Sequence, residues 1–254
     1  MSVDPENSWL RQRAALDNAG MFSESAAWYD HFYGGKDYAG EARRVTELIR
    51  RHRPEAGTLL DVACGTGRHL EHLRQDFACE GLDLDDGLLA VARRRLPSMR
   101  LTRADMADFD LGRRFDAITC LFSSVGYLAT VERLRAAVGA MTRHLEPGGV
   151  LVVEPWILPE AWIEGGTTTV EVVEDGDRKL VRVIASGRQG AMSVLRVHYA
   201  VAAGGEVVSA DERHELRLFT HDEYAAAFFA AGLDTSWDPE GLIGRGLLIG
   251  VAPG

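Results

Sequence analysis

From residue 58 to residue 154 the chain alternates short apolar runs with stretches of helical spacing, and that alternation leaves few folds open. The runs TLLDVA (58–63), 78–84, 99–104, FDAITCLF (115–122) and VLVVE (150–154) have the length and β-branched content of buried strands. Between them, 68–76, 87–96 and 131–145 carry apolar residues three and four apart; Pro97 stops the second and Pro147-Gly148-Gly149 the third. Buried strands alternating with helices predict a parallel sheet covered on both faces, a doubly wound α/β fold.

Two helices are expected ahead of this unit. Residues 9–19 place Trp9, Leu10, Ala14 and Leu16 before Gly20, and 41–52 puts Ala42, Val45, Leu48 and Ile49 on one face. The pattern changes after Pro155. Four β-like runs between 168 and 219 are separated by DGD, GRQG and AGG, tight turn signals that predict antiparallel hairpins. Residues 220–232 read as a helix, with Thr220 and Glu223 spaced as a capping box, and 242–251 as a final strand. The expected division is 1–155 for N-terminal helices and a ligand-binding α/β domain, 156–219 for an antiparallel β insertion, and 220–254 for the elements completing the first domain.

Charge narrows the partners. The chain has 254 residues, 38 acids against 28 bases and a formal charge of −10. An acidic surface repels phosphate backbones and anionic membranes, so neither nucleic acid nor a membrane is expected as a partner. An anionic small ligand would need a local basic clamp. The start, MSVDPENS, has no apolar run of the signal-peptide kind, and Cys64, Cys79 and Cys120 lack paired spacing. A cytoplasmic protein with no disulfide and no metal site is expected; Cys64 and Cys120 read as buried fillers, and His69 and His72 as solvated or cap-like.

The chemistry is concentrated in Leu60-Asp61-Val62-Ala63-Cys64-Gly65-Thr66-Gly67, which leaves the first strand and opens a helix. Gly65 and Gly67 let backbone approach a ligand, and amides at a helix start favour an anionic group. A dinucleotide fingerprint would need a third glycine where Leu70 stands, which disfavours a nicotinamide oxidoreductase. Asp61 can hold the loop or accept from a ligand ammonium. Asp83, followed by Leu84, ends the second strand, where an acid can take two ribose hydroxyls. Asp105 follows the third strand, where a carboxylate can accept from an adenine amino group with Met106 against the ring.

Glycine loop, ribose acid and adenine acid in that order resemble the class I S-adenosylmethionine-dependent methyltransferases. A narrower likeness is carried by Lys36-Asp37-Tyr38, LLDVACGTGRHLEHL, the run from Asp105 to Phe115, LFSSVGYL, HLEPGGV, VVEPW, RVHY and GRGL at 244–247. These resemble the sugar N,N-dimethyltransferases of macrolide biosynthesis, which methylate the amine of thymidine-diphosphate-linked aminosugars. The resemblance implies a Rossmann-like methyltransferase sheet with an antiparallel β insertion that commonly supports a homodimer, S-adenosylmethionine as cofactor, and a small-molecule acceptor, a nucleotide-linked sugar before others. It departs from the family pattern at Met21, at 155–160, at 182–186 and at 242–246, all acceptor-side segments.

The expected cofactor residues are therefore Tyr29, Tyr38, Asp61, Ala63, Gly65, Gly67, Asp83, Leu84, Asp105, Met106 and Leu121. Tyr29 and Tyr38 lie in a segment that can lid the cofactor. Tyr127 and His198 are the catalytic candidates. Tyr127 follows the fourth strand and either bonds the acceptor or packs on the sheet edge. His198 shares a strand face with Arg196 and Ala200 and either reaches the acceptor or pairs across strands. Ser123, Trp156 and Arg245 are the acceptor candidates; the fork of Arg245 suits a diphosphate. O-methylation of another natural-product intermediate, or cofactor binding without methyl transfer, are the alternative activities.

Overall fold

The computed structural model describes residues 25, 26 and 28–254; the helix expected over 9–19 and Met21 lie outside the described residues. The elements run α1 (Tyr29–Phe32), α2 (Tyr38–His52), β1 (Thr58–Val62), α3 (Arg68–Leu73), β2 (Ala78–Asp83), α4 (Asp86–Arg95), β3 (Arg100–Arg103), β4 (Phe115–Cys120), α5 (Val131–Arg143) and β5 (Leu145–Val153). A 3₁₀ helix, Ser124–Leu128, sits between β4 and α5. Then follow β6 (Thr168–Asp175), β7 (Arg178–Gln189), β8 (Met192–Ala203), β9 (Glu206–Arg217), α6 (His221–Ala230), β10 (Asp234–Asp238) and β11 (Leu247–Val251).

The main sheet has seven strands in the order β10-β11-β5-β4-β1-β2-β3. Strands β1 to β5 are parallel; β11 runs antiparallel to β5. The order reverses between β1 and β4, the switch point at which ligands bind in open α/β sheets. Strand alternation builds two cores. Leu60, Ile118, Leu151 and Leu248 point to the α5 and α6 face, where Leu134, Val138 and Phe228 meet them. Leu59, Ala117, Val150 and Ile249 point to the other face, against Val45 and Ile49 of α2, Leu73 of α3 and Leu89 of α4.

Helix ends are fixed as the sequence signals require. Asp85 caps α4 by accepting the Leu88 amide, Thr130 caps α5, and Thr220 with Glu223 closes the capping box of α6. Several boundaries move: α2 starts at Tyr38, ahead of Glu41, and α3 stops at Leu73, short of Asp76. Helix α5 ends at Arg143, and β5 begins at Leu145, two residues before Pro147, passing it through a register shift opposite Phe115–Ala117. The terminal strand expected over 242–251 occupies only Leu247–Val251, because three glycines at positive φ (Gly241, Gly244 and Gly246) fold 241–246 into a loop. Its partner β10 was not visible as a strand, since DTSWD carries little β-branched or apolar content.

The four runs after Pro155 form a separate antiparallel sheet, β6-β7-β8-β9. The middle of β8 shows a period of two. Leu195, Val197 and Tyr199 face the main domain, while Arg196 and His198 face away. No helix among the described residues is long and apolar enough to cross a membrane.

Candidate active site

The cavity of about 750 Å³ lies between the carboxyl ends of β1 to β4 and the inner face of the second sheet. Its floor begins at the loop after β1. Ala63, Gly65 and Gly67 all have positive φ. A Cβ at Gly65 would meet nothing within 4 Å, whereas one at Gly67 would lie 2.9 Å from Leu96 Cδ1 on the α4 side. The two glycines thus differ in task. Gly65 borders the cavity, and Gly67 lets α3 pack beside α4. The tight packing that a third glycine would provide comes instead from the strand, because a Cβ at Gly81 would sit 2.8 Å from Leu70 Cδ1.

Asp83 holds this loop in place. Its Oδ2 accepts the Gly65 amide at 2.8 Å and its Oδ1 the Asp85 amide at 2.9 Å. Burial raises its pKa, and the amides pull it back. Asp61 is buried and accepts from the Thr119 hydroxyl at 2.7 Å; burial pushes its carboxyl up to about 6, so it ionises there only at a desolvation cost. Leu84, Met106 and Leu121 supply apolar wall. Asp105 also borders the cavity but is gripped by Arg133, with Nη2 2.7 Å from Oδ2.

Helix α1 covers one side. Asp30 ties it to the glycine loop by accepting from the Thr66 hydroxyl at 2.7 Å and pairing with Arg95. This brings Tyr29 and Tyr33 over the cavity, ring against ring at 4.7 Å, with Tyr33 edge-on to Phe122 at 5.1 Å. Tyr38 starts α2 and packs on His69 at 4.9 Å. His69 departs from its expected solvated role. It is buried, donates from Nε2 to the Glu41 carboxylate across 2.8 Å, and borders the cavity. The short α3 turns it inward, and its burial is made tolerable by that carboxylate.

The roof is the second sheet. Arg182 packs its guanidinium on Phe32 at 4.6 Å and Tyr33 at 4.7 Å and pairs with Glu171. Tyr127, in the 3₁₀ helix, reaches up to His214 of β9 with its hydroxyl 3.2 Å from Nδ1. Ser123 and Trp156 line the seam between floor and roof. Arg245, on the loop between β10 and β11, lies 4.6 Å over the Trp156 ring and donates to the Ser123 hydroxyl at 2.7 Å. Burial lowers its pKa.

His198 is the sequence candidate that the structure does not bring in. Its register partner is Asp211, with Nδ1 and Oδ1 2.9 Å apart on the outer face of the sheet. Val197 and Tyr199 occupy the inner face, so alternation turns His198 away from the cavity. Gly67 also stands outside the cavity wall, for the packing reason above. Tyr33, Arg182 and His214 were missed. The apolar set Leu195, Val197, Tyr199 was the available signal: it identifies the inner face of β8, and the β9 residue opposite Leu195 is His214.

Comparison with known proteins agrees with this geometry. Residues 59–149 match a family model described as a methyltransferase domain. The chain is 49% identical over 227 residues to the dTDP-3-amino-3,4,6-trideoxy-alpha-D-glucopyranose N,N-dimethyltransferase of Streptomyces venezuelae, covering 88% of this chain and 95% of that one. It is 43% identical over 222 residues to the dTDP-4-amino-2,3,4,6-tetradeoxy-D-glucose N,N-dimethyltransferase of Saccharopolyspora spinosa, covering 87% and 89%. Among solved structures, SAM-bound CalS10, an amino pentose methyltransferase from Micromonospora echinaspora, superposes with a TM-score of 0.79 at 40% identity, over 99% of this chain and 98% of that one.

The floor suits S-adenosylmethionine. The space above Gly65 is one a Cβ would enter without contact, two buried carboxylates stand beside it, and the adjoining wall is apolar. Fold, cavity and near full-length identity agree: the chain belongs to the S-adenosylmethionine-dependent sugar N,N-dimethyltransferases.

Proposed function

We propose that this enzyme methylates the amine of a thymidine-diphosphate-linked deoxyaminosugar. The observation that carries the reading is Arg245. Five arginines border the cavity: Arg68, Arg103, Arg133, Arg182 and Arg245. The first four have carboxylate partners in Asp30, Asp86, Asp105 and Glu171. Arg245 instead rests on an indole and a hydroxyl, with no ion pair to a carboxylate among the described residues. The Glu154 carboxylate acts on it only at a distance, without an ion pair, so the fork of this half-buried guanidinium is left for two phosphate oxygens.

The cofactor residues divide by position. Asp83 accepts from ribose hydroxyls, Asp105 with Met106 and Leu84 borders the adenine, and Asp61, Tyr38 and the Ala63–Gly65 backbone take the methionine end. Tyr29 closes over it, and Leu121 backs the reacting centre. When bound there, S-adenosylmethionine supplies a methyl group on a sulfonium, open to in-line attack. The chain's own work is alignment: Arg245, Ser123 and Trp156 fix the diphosphate end of the acceptor, and Tyr127 directs its amine. Such positioning is worth about 7–11 kcal/mol when geometry is good.

A homodimer through the second sheet and a cytoplasmic location belong to the same reading. Val170, Val172 and Val207, all exposed on that sheet, support the first; three free cysteines support the second. The test is mass spectrometry of products formed from S-adenosylmethionine with thymidine-diphosphate 3-amino- and 4-amino-deoxysugars and their hydroxy counterparts. One or two methyl masses on the amine alone are expected. Methylation of the hydroxy sugar would transfer the reading to an O-methyltransferase, and cofactor binding with no product from any acceptor would remove it.

A further inference from the structure

An amine on a sugar is largely an ammonium near neutral pH and has no lone pair for attack. It must lose a proton before each methyl transfer, and a second time if it is dimethylated. Two residues of the cavity wall, Tyr127 and His214, begin a chain of close polar contacts that continues to Glu212 behind them. The Tyr127 hydroxyl lies 3.2 Å from His214 Nδ1, and His214 Nε2 lies 3.1 Å from Glu212 Oε2. Glu212 is itself held rigid: its Oε1 accepts the Ser25 amide at 3.1 Å and its Oε2 the Ser25 hydroxyl at 3.0 Å. His214 and Glu212 side chains are 5% and 7% exposed, so this is an interior line, not a surface ion pair.

We infer that Tyr127, His214 and Glu212 form a proton-accepting line for the acceptor amine, with Tyr127 as the residue that touches substrate and His214 and Glu212 as positioning residues behind it, the proton resting on His214 until the product leaves. The inference rests on the amine reading above. An N–H bond of the ammonium breaks and its proton joins the Tyr127 oxygen. At the same time the Tyr127 hydroxyl proton passes to His214 Nδ1. His214 Nε2–H stays bonded to Glu212, so the new imidazolium stands against a fixed carboxylate. The amine keeps the electron pair that its N–H bond held.

Two features favour a relay over a tyrosinate base. Burial and then Tyr33 hold the Tyr127 phenol well above its ordinary range, so it does not give up its proton without taking another. Tyr127 also links floor and roof, from the 3₁₀ helix to β9, so the line runs away from the cofactor floor into the second sheet. The charged and titratable groups facing the line are Tyr29 and Tyr33 from the N-terminal segment, Asp83 from β2, Tyr199 from β8, and Arg182 with Glu171 across the cavity.

The test is the pH dependence of kcat from pH 7 to pH 9 on an amine acceptor, for wild type, Tyr127→Phe, His214→Gln and Glu212→Gln. Binding of S-adenosylhomocysteine is measured in parallel to show that each variant is folded. With the line intact, wild-type kcat changes less than about threefold across the range, because the complex removes the proton itself. Tyr127→Phe and His214→Gln fall by about tenfold per pH unit below the amine's own pKa and return to within about fivefold of wild type at pH 9. A loss by the same factor at every pH overturns the proposal and makes the trio structural, with the amine reading intact. A wild-type profile that itself tracks the free amine overturns it too. Wild-type enzyme that methylates no amine removes both readings together.

Discussion

The Asp83 carboxylate accepts the amide hydrogen of Gly65 at 2.8 Å, joining the end of β2 to the loop after β1. The residue expected to bind ribose therefore also shapes the loop beneath the methionine end. Asp83→Asn keeps the size and removes the charge. A charged hydrogen bond is worth about 1.5–3 kcal/mol, so the cofactor Kd rises roughly 10- to 150-fold. Isothermal titration with S-adenosylhomocysteine checks this. Unchanged affinity would place the ribose elsewhere.

Gly65→Ala and Gly67→Ala separate binding from folding. Both force alanine into positive φ, at about 1–2 kcal/mol each. At Gly65 the added methyl enters the cavity, so cofactor affinity falls more than stability. At Gly67 it strikes Leu96 on the α4 side, so the thermal midpoint falls further and the cofactor Kd of folded protein changes little. Paired melting and binding curves distinguish them.

Asp61 carries a pH signature. Its carboxyl is raised from 3.8 to about 6 by burial, so the stability it contributes is present below 3.8 and is lost as pH rises through about 6. By pH 7.5 the loss is about 3 kcal/mol. Asp61→Asn is expected to match wild type near pH 4 and exceed it at pH 7.5, by roughly 2–4 °C in Tm per kcal/mol. The same variant binds cofactor more weakly, because a ligand ammonium then meets a neutral amide. A stability difference that does not widen with pH would mean that Asp61 is charged at little cost.

Arg245→Ala should raise the acceptor KM about 10- to 100-fold and leave the cofactor Kd within a factor of two, as expected for loss of one charged contact to phosphate. Arg245→Lys recovers part of the loss, since an ammonium keeps the charge but not the fork. Equal KM values would locate the diphosphate clamp elsewhere in the cavity.

His198→Ala should change kcat by less than twofold. Its pair with Asp211 lies on the solvent side of the sheet, where ion pairs contribute at most about 1 kcal/mol. A large fall in kcat would contradict the inner and outer faces assigned to β8.

What could be read in advance follows from local physics. The Thr220–Glu223 box, the strands β1 to β5, the hairpin turns and the glycine loop are each specified within a few neighbouring residues, and each was visible as a pattern. Arg245 and Trp156 stood out because a charged fork and an indole near glycines have few other uses. His214 and Arg182 did not stand out, because their importance depends on which face of a four-stranded sheet turns inward, and that is decided by packing against Trp28, Phe32 and the 3₁₀ helix, far away in sequence. The burial of His69 is hidden in the sequence for a related reason: Glu41, whose carboxylate partners it, is on another helix 28 residues earlier.

The alternation of the second sheet also bears on how such an enzyme changes its acceptor. Along β7, β8 and β9 the roof is made of every other residue: Arg182 and Ile184, then Leu195, Val197 and Tyr199, then His214 and Leu216. Arg196, His198, Arg213 and Glu215 between them are exposed or half-exposed on the other face. On the proposed reading, the part of acceptor choice that rests on this roof is encoded with a step of two, in a layer that shares no strand with the cofactor floor. Substitutions on that step can redraw the pocket while the floor keeps its ligand, whereas a slip of one residue would exchange the whole roof for its outer surface.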